Sequence, residues 1–186
     1  MDLKVFMADK NYEKQRPIFL GLKWLLKATS KDSVFNPIQS CLHVLKGSRI
    51  AATNGHIALI MNGVGELDVE PGAYKPFFYR GVISLIEMGE ISSPNFDDVI
   101  FPPSEDHRIS EEQLFNRDGF HHLVITKTGM PFNMDYLNAA YRPSEECGIF
   151  FTPMGEKLDT GQLLVQYRNM KTRDIQFIAV VMSQKK

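Results

Sequence analysis

One pattern constrains this chain more than any other. An amphipathic helical segment followed by three short apolar runs, set off by tight turns, occurs twice: near residues 17–62 and near 131–182. A helix must bury one stripe and a half-apolar sheet one face, so two such helix-plus-sheet segments satisfy each other within an α+β domain. In the first, Pro17 suits the opening turn of a helix. Ile18, Leu22, Leu25 and Leu26, flanked by Phe19 and Trp24, recur close to the 3.6 period. Gly21 weakens this helix and Thr29-Ser30-Lys31 ends it. Strands are expected at 39–45, 48–53 and 57–62, paired as a meander. Lys46-Gly47-Ser48 turns the first pair, and Asn54-Gly55 is the strongest hairpin signal in the sequence. In the second segment Asn133 is the expected N-cap of a helix whose apolar face is Tyr136, Leu137 and Ala140, with Pro143 closing it. IFFTPMG, GQLLVQYR and IQFIAVVM then read as three strands. The repetition is one of architecture, not of residues.

The remainder is less regular. MDLKVFMA reads as a short strand and DKNYEKQR as a loop. Glu66 to Glu70 suits a short strand, and 76–89 (PFFYRGVISLIEMG) fits either a strand pair or a short helix. Pro94, Pro102 and Pro103 break an irregular connector, and residues 104–118 are acidic, polar and expected to be exposed. HHLVITKTG is expected to end as a strand, which would send His121 and His122 to opposite faces.

At 186 residues, with 44% hydrophobic and 23% charged, the chain can bury a core without covalent staples. Cys41 and Cys147 lie in apolar contexts and imply no disulfide framework, which fits a reducing compartment. The N-terminal stretch carries charges where a signal peptide needs apolar residues, and no apolar run reaches the length of a membrane span. A cytoplasmic location with no membrane partner is the expectation.

Chemistry is hard to find. No two Cys or His residues show zinc-ligand spacing, and neither a nucleophile elbow, a P-loop, a dinucleotide fingerprint nor a zinc-protease motif occurs. Asp97-Asp98, Glu105-Asp106, Glu111-Glu112 and Glu145-Glu146 are adjacent pairs in loops, whereas carboxylate catalysis needs two groups held at a defined separation. No enzyme activity, metal or cofactor is expected. A net charge of -1 excludes a strongly basic nucleic-acid binder but not a local patch. Such a patch is present: Lys14, Arg16, Lys23, Lys27 and Lys31 follow one another with no acidic residue between them. Lys23, Lys27 and Lys31, four apart, form a stripe able to touch phosphates, although an ordinary solvated helix face carries the same pattern.

Three segments carry a family resemblance. LKGSRIAATNGHIAL (45–59) resembles the strand-turn-strand of bacterial DNA polymerase III β sliding clamps, with Ala52, Thr53, Gly55, His56 and Ala58 matching. Asn54 replaces the family's aspartate and Ile57 its arginine. SSPNFDDVIFP (92–102) resembles the clamp connector through Pro94, Asn95, Phe96, Val99, Ile100 and Pro102. PFNMDYLNAAY (131–141) resembles the start of the family's last helix through Phe132, Asn133, Tyr136 and Leu137, and the tail ending IQFIAVVM resembles its final strands, although Ser183 follows Met182 where the family has proline.

The resemblance implies a single DNA-clamp-like domain over 1–186, with halves at roughly 17–62 and 119–182 related by an internal pseudo-two-fold and joined by an irregular connector, 63–118. The fold signature is then Thr53, Asn54, Gly55, His56, Phe132, Asn133, Tyr136 and Leu137. Lys23, Lys27, Lys31 and Arg142 are the candidate DNA-binding residues, on one concave surface. Clamp subunits carry three such domains and this chain has room for one. The implied roles are therefore two: a processivity-type protein that binds double-stranded DNA weakly or as a homo-oligomer, or a phage or mobile-element module that binds or inhibits a host replication or defence protein without encircling DNA. The acidic Asp135 on the second helix counts against a basic channel.

Overall fold

The computed structural model describes residues 5–9, 11–31, 36–63, 69–113, 116–142, 146–155, 159–169, 171–172 and 174–185. The chain divides into two compact units: Met1–Gly55 with Ile60–Asn95, and His56–Leu59 with Phe96–Lys186.

The first unit holds strand β1 (Val5–Asp9), helix α1 (Arg16–Leu25), and strands β2 (Leu42–Leu45), β3 (Arg49–Thr53), β5 (Gly72–Tyr79) and β6 (Val82–Glu87), together with the last two residues of β4 (Ile57–Met61). Their sheet order is β1-β6-β5-β2-β3-β4, so the expected meander forms and a hairpin extends it on the other side. α1 begins with Pro17 in its first turn and buries Phe19, Leu22, Trp24 and Leu25, each worth about 1.5–3 kcal/mol when fully removed from water. It packs on β1 and β6. Gly21 faces β4 so closely that a Cβ there would overlap the Met61 sulfur, which explains a glycine inside a helix.

The segment 76–89 resolves as the β5–β6 strand pair. Tyr79 pairs with Val82 across a two-residue turn, Arg80-Gly81, with φ of 47° and 86°. Two successive positive φ values are the type I′ geometry that matches strand twist. Arginine rarely occupies that position, so the turn was hard to read from the sequence. The expected strand at 66–70 falls largely outside the described residues, as does Pro143.

The first unit's core also holds a histidine. His43 is fully buried on β2; its Nε2–H donates to the Ile38 carbonyl at 2.9 Å, and its Nδ1 lies 3.1 Å from the Ser93 hydroxyl. Burial lowers its pKa, so the neutral ring that accepts from Ser93 is the folded form.

The second unit begins with Ile57–Leu59 of β4 and adds strand β7 (Arg108–Gln113), helices α2 (Arg117–Thr128) and α3 (Met134–Ala140), and strands β8 (Glu146–Met154), β9 (Thr160–Arg168) and β10 (Ile175–Met182). The sheet order is β4-β10-β9-β8-β7, and β10/β9, β9/β8 and β8/β7 are antiparallel. The three apolar runs of the sequence are β8, β9 and β10. β9 is buried from Gly161 to Tyr167, as expected of a central strand. Gln162 within it ties down the connector: its side-chain carbonyl accepts from the Phe101 N–H at 3.0 Å and its amide donates to the Val99 carbonyl at 2.7 Å.

The expected strand at HHLVITKTG is instead the body of α2. Asn116 caps it, accepting from the Gly119 N–H, and Gly129 ends it in the left-handed region with φ of 62°. Phe120, His121 and Val124 are buried while Ile125 is 44% exposed. That is one-turn spacing, not alternation, and the caps decide the matter. His121 and His122 therefore sit about 100° apart on a helix. His121 is buried, with no hydrogen-bond partner for Nε2 among the described residues, and His122 is exposed.

Asn133 caps α3 as expected, accepting from the Asp135 N–H at 2.8 Å. The exit from α3 is held by Tyr167, whose buried hydroxyl donates to the Ala140 carbonyl at 2.8 Å and accepts from the Arg142 N–H at 3.0 Å.

Candidate nucleic-acid interface

The lysine stripe survives in altered form. Lys23 lies in the last turn of α1, Lys27 in a 3-10 turn spanning Leu26–Ala28, and Lys31 beyond it, past Thr29 at φ −82°, ψ 144°. The four-residue spacing therefore does not place all three on one helix face, because the chain leaves the helical path at residue 29. All three remain exposed, as do Lys14 and Arg16. Cations at a helix C-terminus also interact favourably with the peptide dipoles there. Arg16 and Lys23 border a groove of about 680 Å³ with Asn11, Phe19 and Leu20, and Glu13 adds one carboxylate to it.

Arg142 belongs to the second unit. Its guanidinium carbon sits 3.4 Å from the centre of the Phe177 ring, a tight cation–π stack. α3 carries Asp135 in its first turn and no basic residue in its last. α2, however, exposes Arg117, His122 and Lys127, with Asp118 as its acidic residue. These basic positions were missed because the segment reads as a strand when Phe120 and the Asn116 cap are left out of view.

The signature residues fall into structural roles. Thr53 accepts the Gly55 N–H on its hydroxyl at 3.0 Å. The three-residue loop 54–56 has a positive φ only at Gly55 (90°), so it is not the two-residue type I′ turn that Asn-Gly favours. In the second unit His56 stacks on Tyr136, with ring centres 6.0 Å apart and planes 14° from parallel, and its carbonyl accepts the Met182 N–H at 2.9 Å. Two of the three segments that carry the resemblance therefore touch, with the final strand beside them. Phe132 meets Phe151 edge-on at 6.3 Å, and Leu137 is fully buried.

Nothing among the described residues assembles a metal centre: no group of three or more His, Cys, Asp or Glu is placed to hold an ion. The perturbed groups are Cys41, Tyr74 and Tyr141, raised, and His43 and His121, lowered. Burial is the largest cause for each, the mark of packed interiors more than of a paired acid and base. Among the described residues no helix is long and apolar enough to cross a membrane.

No protein-family model matches the sequence, and no curated protein matches it. Solved structures do. The chain is similar to DNA polymerase III subunit β from Borrelia burgdorferi in complex with a natural product, with a TM-score of 0.60, 9% identity, and coverage of 100% of this chain and 64% of that one. It is also similar to the Pseudomonas aeruginosa subunit β, with a TM-score of 0.53, 11% identity, and coverage of 98% and 66%. The Helicobacter pylori β clamp bound to a DNA ligase peptide gives a TM-score of 0.50, 9% identity, and coverage of 98% and 67%. The chain thus spans about two thirds of the length of these clamps. At such identities the likeness establishes the fold: an α+β architecture whose helix-and-sheet subdomains resemble the pseudo-two-fold duplication of the bacterial DNA sliding clamp.

Proposed function

We propose that this chain is a non-enzymatic, clamp-like DNA-associated protein of the processivity type, acting on the duplex backbone without reading sequence. The observation that carries this is the acid-free run from Lys14 to Lys31, whose five cations are all exposed before, on and beyond α1. Lysines so placed contact phosphates and release counterions, which gives affinity with no base specificity. Within the second unit, α2 exposes Arg117 and Lys127. Association is expected to be weak for one chain and stronger for an oligomer. The test is duplex binding by fluorescence anisotropy across a salt series. Charge reversal at Lys23, Lys27 and Lys31 should lower affinity and flatten the slope of log K on log salt by about 0.9 for each lysine that meets a phosphate. Unchanged binding by the triple variant would sink the reading.

A second reading rests on a different surface. Val99 and Phe101 are 44% and 42% exposed on the connector, beside the acidic Asp97, Asp98, Glu105 and Asp106. Glu105 is paired with Arg108 at 2.8 Å, which leaves Asp97, Asp98 and Asp106 as the carboxylates flanking the apolar pair in sequence. This fits a basic partner protein, as in a module that binds a host replication or defence protein without encircling DNA. A chain that stays monomeric or dimeric at low and moderate salt and ignores duplex DNA favours this second role.

A further inference from the structure

The β5–β6 hairpin presents exposed aromatic rings on an open sheet face. Phe77 and Tyr79 are 51% and 67% exposed, on alternate positions of β5 and so on the same side of the sheet. Two residues of strand separate them by about 7 Å. Lys75 shares this side, and Arg80, in the turn, lays its guanidinium carbon 5.1 Å from the centre of the Tyr79 ring. The residues opposite them on β6 are Ile86, Ser84 and Val82, so Phe77 stands over a serine and nothing large on β6 covers either ring. On the other side, towards α1, Phe78 meets Phe19 at 6.1 Å and is itself 57% exposed. β2 pairs with β5 only as far as Tyr74, which leaves the end bearing the rings with β6 as its one paired neighbour among the described residues.

At the foot of this face lies a cavity of about 320 Å³ lined by Phe77, Lys75, Ile86, Met88, Ile91 and Ser40, among others. Within that lining the Lys75 ammonium donates to the Ser40 hydroxyl at 3.1 Å. Its size is at the lower end of small-ligand sites.

We propose that this face binds single-stranded nucleic acid, with bases stacked on Phe77 and Tyr79 and the strand's phosphates met by Lys75 and Arg80. Rigid aromatic rings on an open sheet, spaced one strand repeat apart, take successive unpaired bases. The flanking cations select an anionic occupant over a neutral apolar one. Asp9, paired with Val82 through β1 and β6, is the one acidic residue in register on this side among the described positions. It leaves the strip along β5 itself positive. This surface is separate from Lys23, Lys27 and Lys31, proposed above to meet the duplex, and the two can fail independently.

The experiment is anisotropy with a labelled 20-nucleotide oligothymidylate and, in parallel, a labelled 20-base-pair duplex, using the full chain at low salt. Replacing Phe77 and Tyr79 together by alanine should weaken single-strand binding by at least roughly 10-fold while leaving the duplex affinity unchanged. Both rings are exposed, so the melting temperature should hold, and Phe77→Tyr with Tyr79→Phe should retain binding. Charge reversal at Lys23, Lys27 and Lys31 should do the converse. Oligothymidylate that does not bind the intact chain, or binds the double-alanine variant as well as the parent, overturns the assignment. So does a parent that self-associates and becomes monomeric on losing the rings, since the face would then belong to a second copy.

Discussion

Both units press a glycine against a neighbouring element, and they differ in what that glycine meets. Gly21 in the first unit faces the flexible thioether of Met61. Gly161 in the second lies on buried β9, where a Cβ would run into the ring of Phe151 and come within 3.0 Å of the Thr152 carbonyl oxygen. A methionine can swing aside through several rotatable bonds, whereas a packed ring and a backbone oxygen cannot. The first unit thus has a plastic contact and the second a rigid one, although in the sequence Gly21 reads as a weak point of a helix and Gly161 as a residue of the turn that opens a strand.

The largest expected effect tests that contrast. Gly161→Ala should destabilise by about 3 kcal/mol through overpacking. Gly21→Ala should cost less than about 1 kcal/mol, because Met61 moves and alanine returns nearly 1 kcal/mol of helix propensity. Urea melts of the two variants side by side measure the difference, and equal losses would erase the distinction.

Next in size is a pair of buried tyrosines, Tyr74 and Tyr167, each almost fully enclosed. Among the described residues the Tyr74 hydroxyl makes one bond, donating to the Glu70 carbonyl at 2.8 Å. Tyr167 bridges a carbonyl and an N–H at the end of α3. Tyr167→Phe should therefore cost about 2 kcal/mol, leaving two backbone groups short, and Tyr74→Phe about half that. Amide exchange at Arg142 should accelerate in the first variant and not in the second.

The smallest effect concerns acid. His43 and His121 both have pKa values below the ordinary 6.5, His43 chiefly by burial and His121 by burial reinforced by Arg117 and opposed by Asp118. The unfolded chain therefore takes up protons first. Stability from these groups is full above pH 6.5 and is lost as the pH falls through the folded values. His121→Leu removes a ring whose Nε2 has no partner among the described residues, so it should reduce the acid sensitivity at little cost at pH 7. His43→Leu should lower stability at pH 7 as well, since the Ile38 carbonyl loses its donor. Melting temperatures between pH 5 and 8 would show whether the two histidines differ in this way.

The strands were legible because burial on β4 and β8 to β10 is written as contiguous apolar runs with turn residues between them. The N-cap at Asn133 was legible for a local reason as well: its side chain bonds the Asp135 N–H two residues on. α2 was not, since HHLVITKTG alone has no strong helical stripe. Its identity depends on Asn116 and Gly129, one residue outside each end. The I′ turn at Arg80-Gly81 hid behind an arginine that only tertiary pairing holds at positive φ. The lysines of the candidate interface were legible as residues, but their alignment was not, because the backbone straightens at Thr29. The stack of His56 on Tyr136 joins positions 80 apart in sequence, and no local pattern announces it.

Strand β4 is divided: Ile57–Leu59 group with the second unit and Ile60–Met61 with the first. The chain therefore has no single scission point that yields two complete halves. A fragment beginning at Phe96 would lack the strand that lies beside β10 in the sheet. During synthesis that strand emerges long before its partner and must wait, unpaired on that side, until β10 has left the ribosome. Split-protein complementation, with the hairpin-bearing fragment supplied in trans, is the natural way to exploit this order.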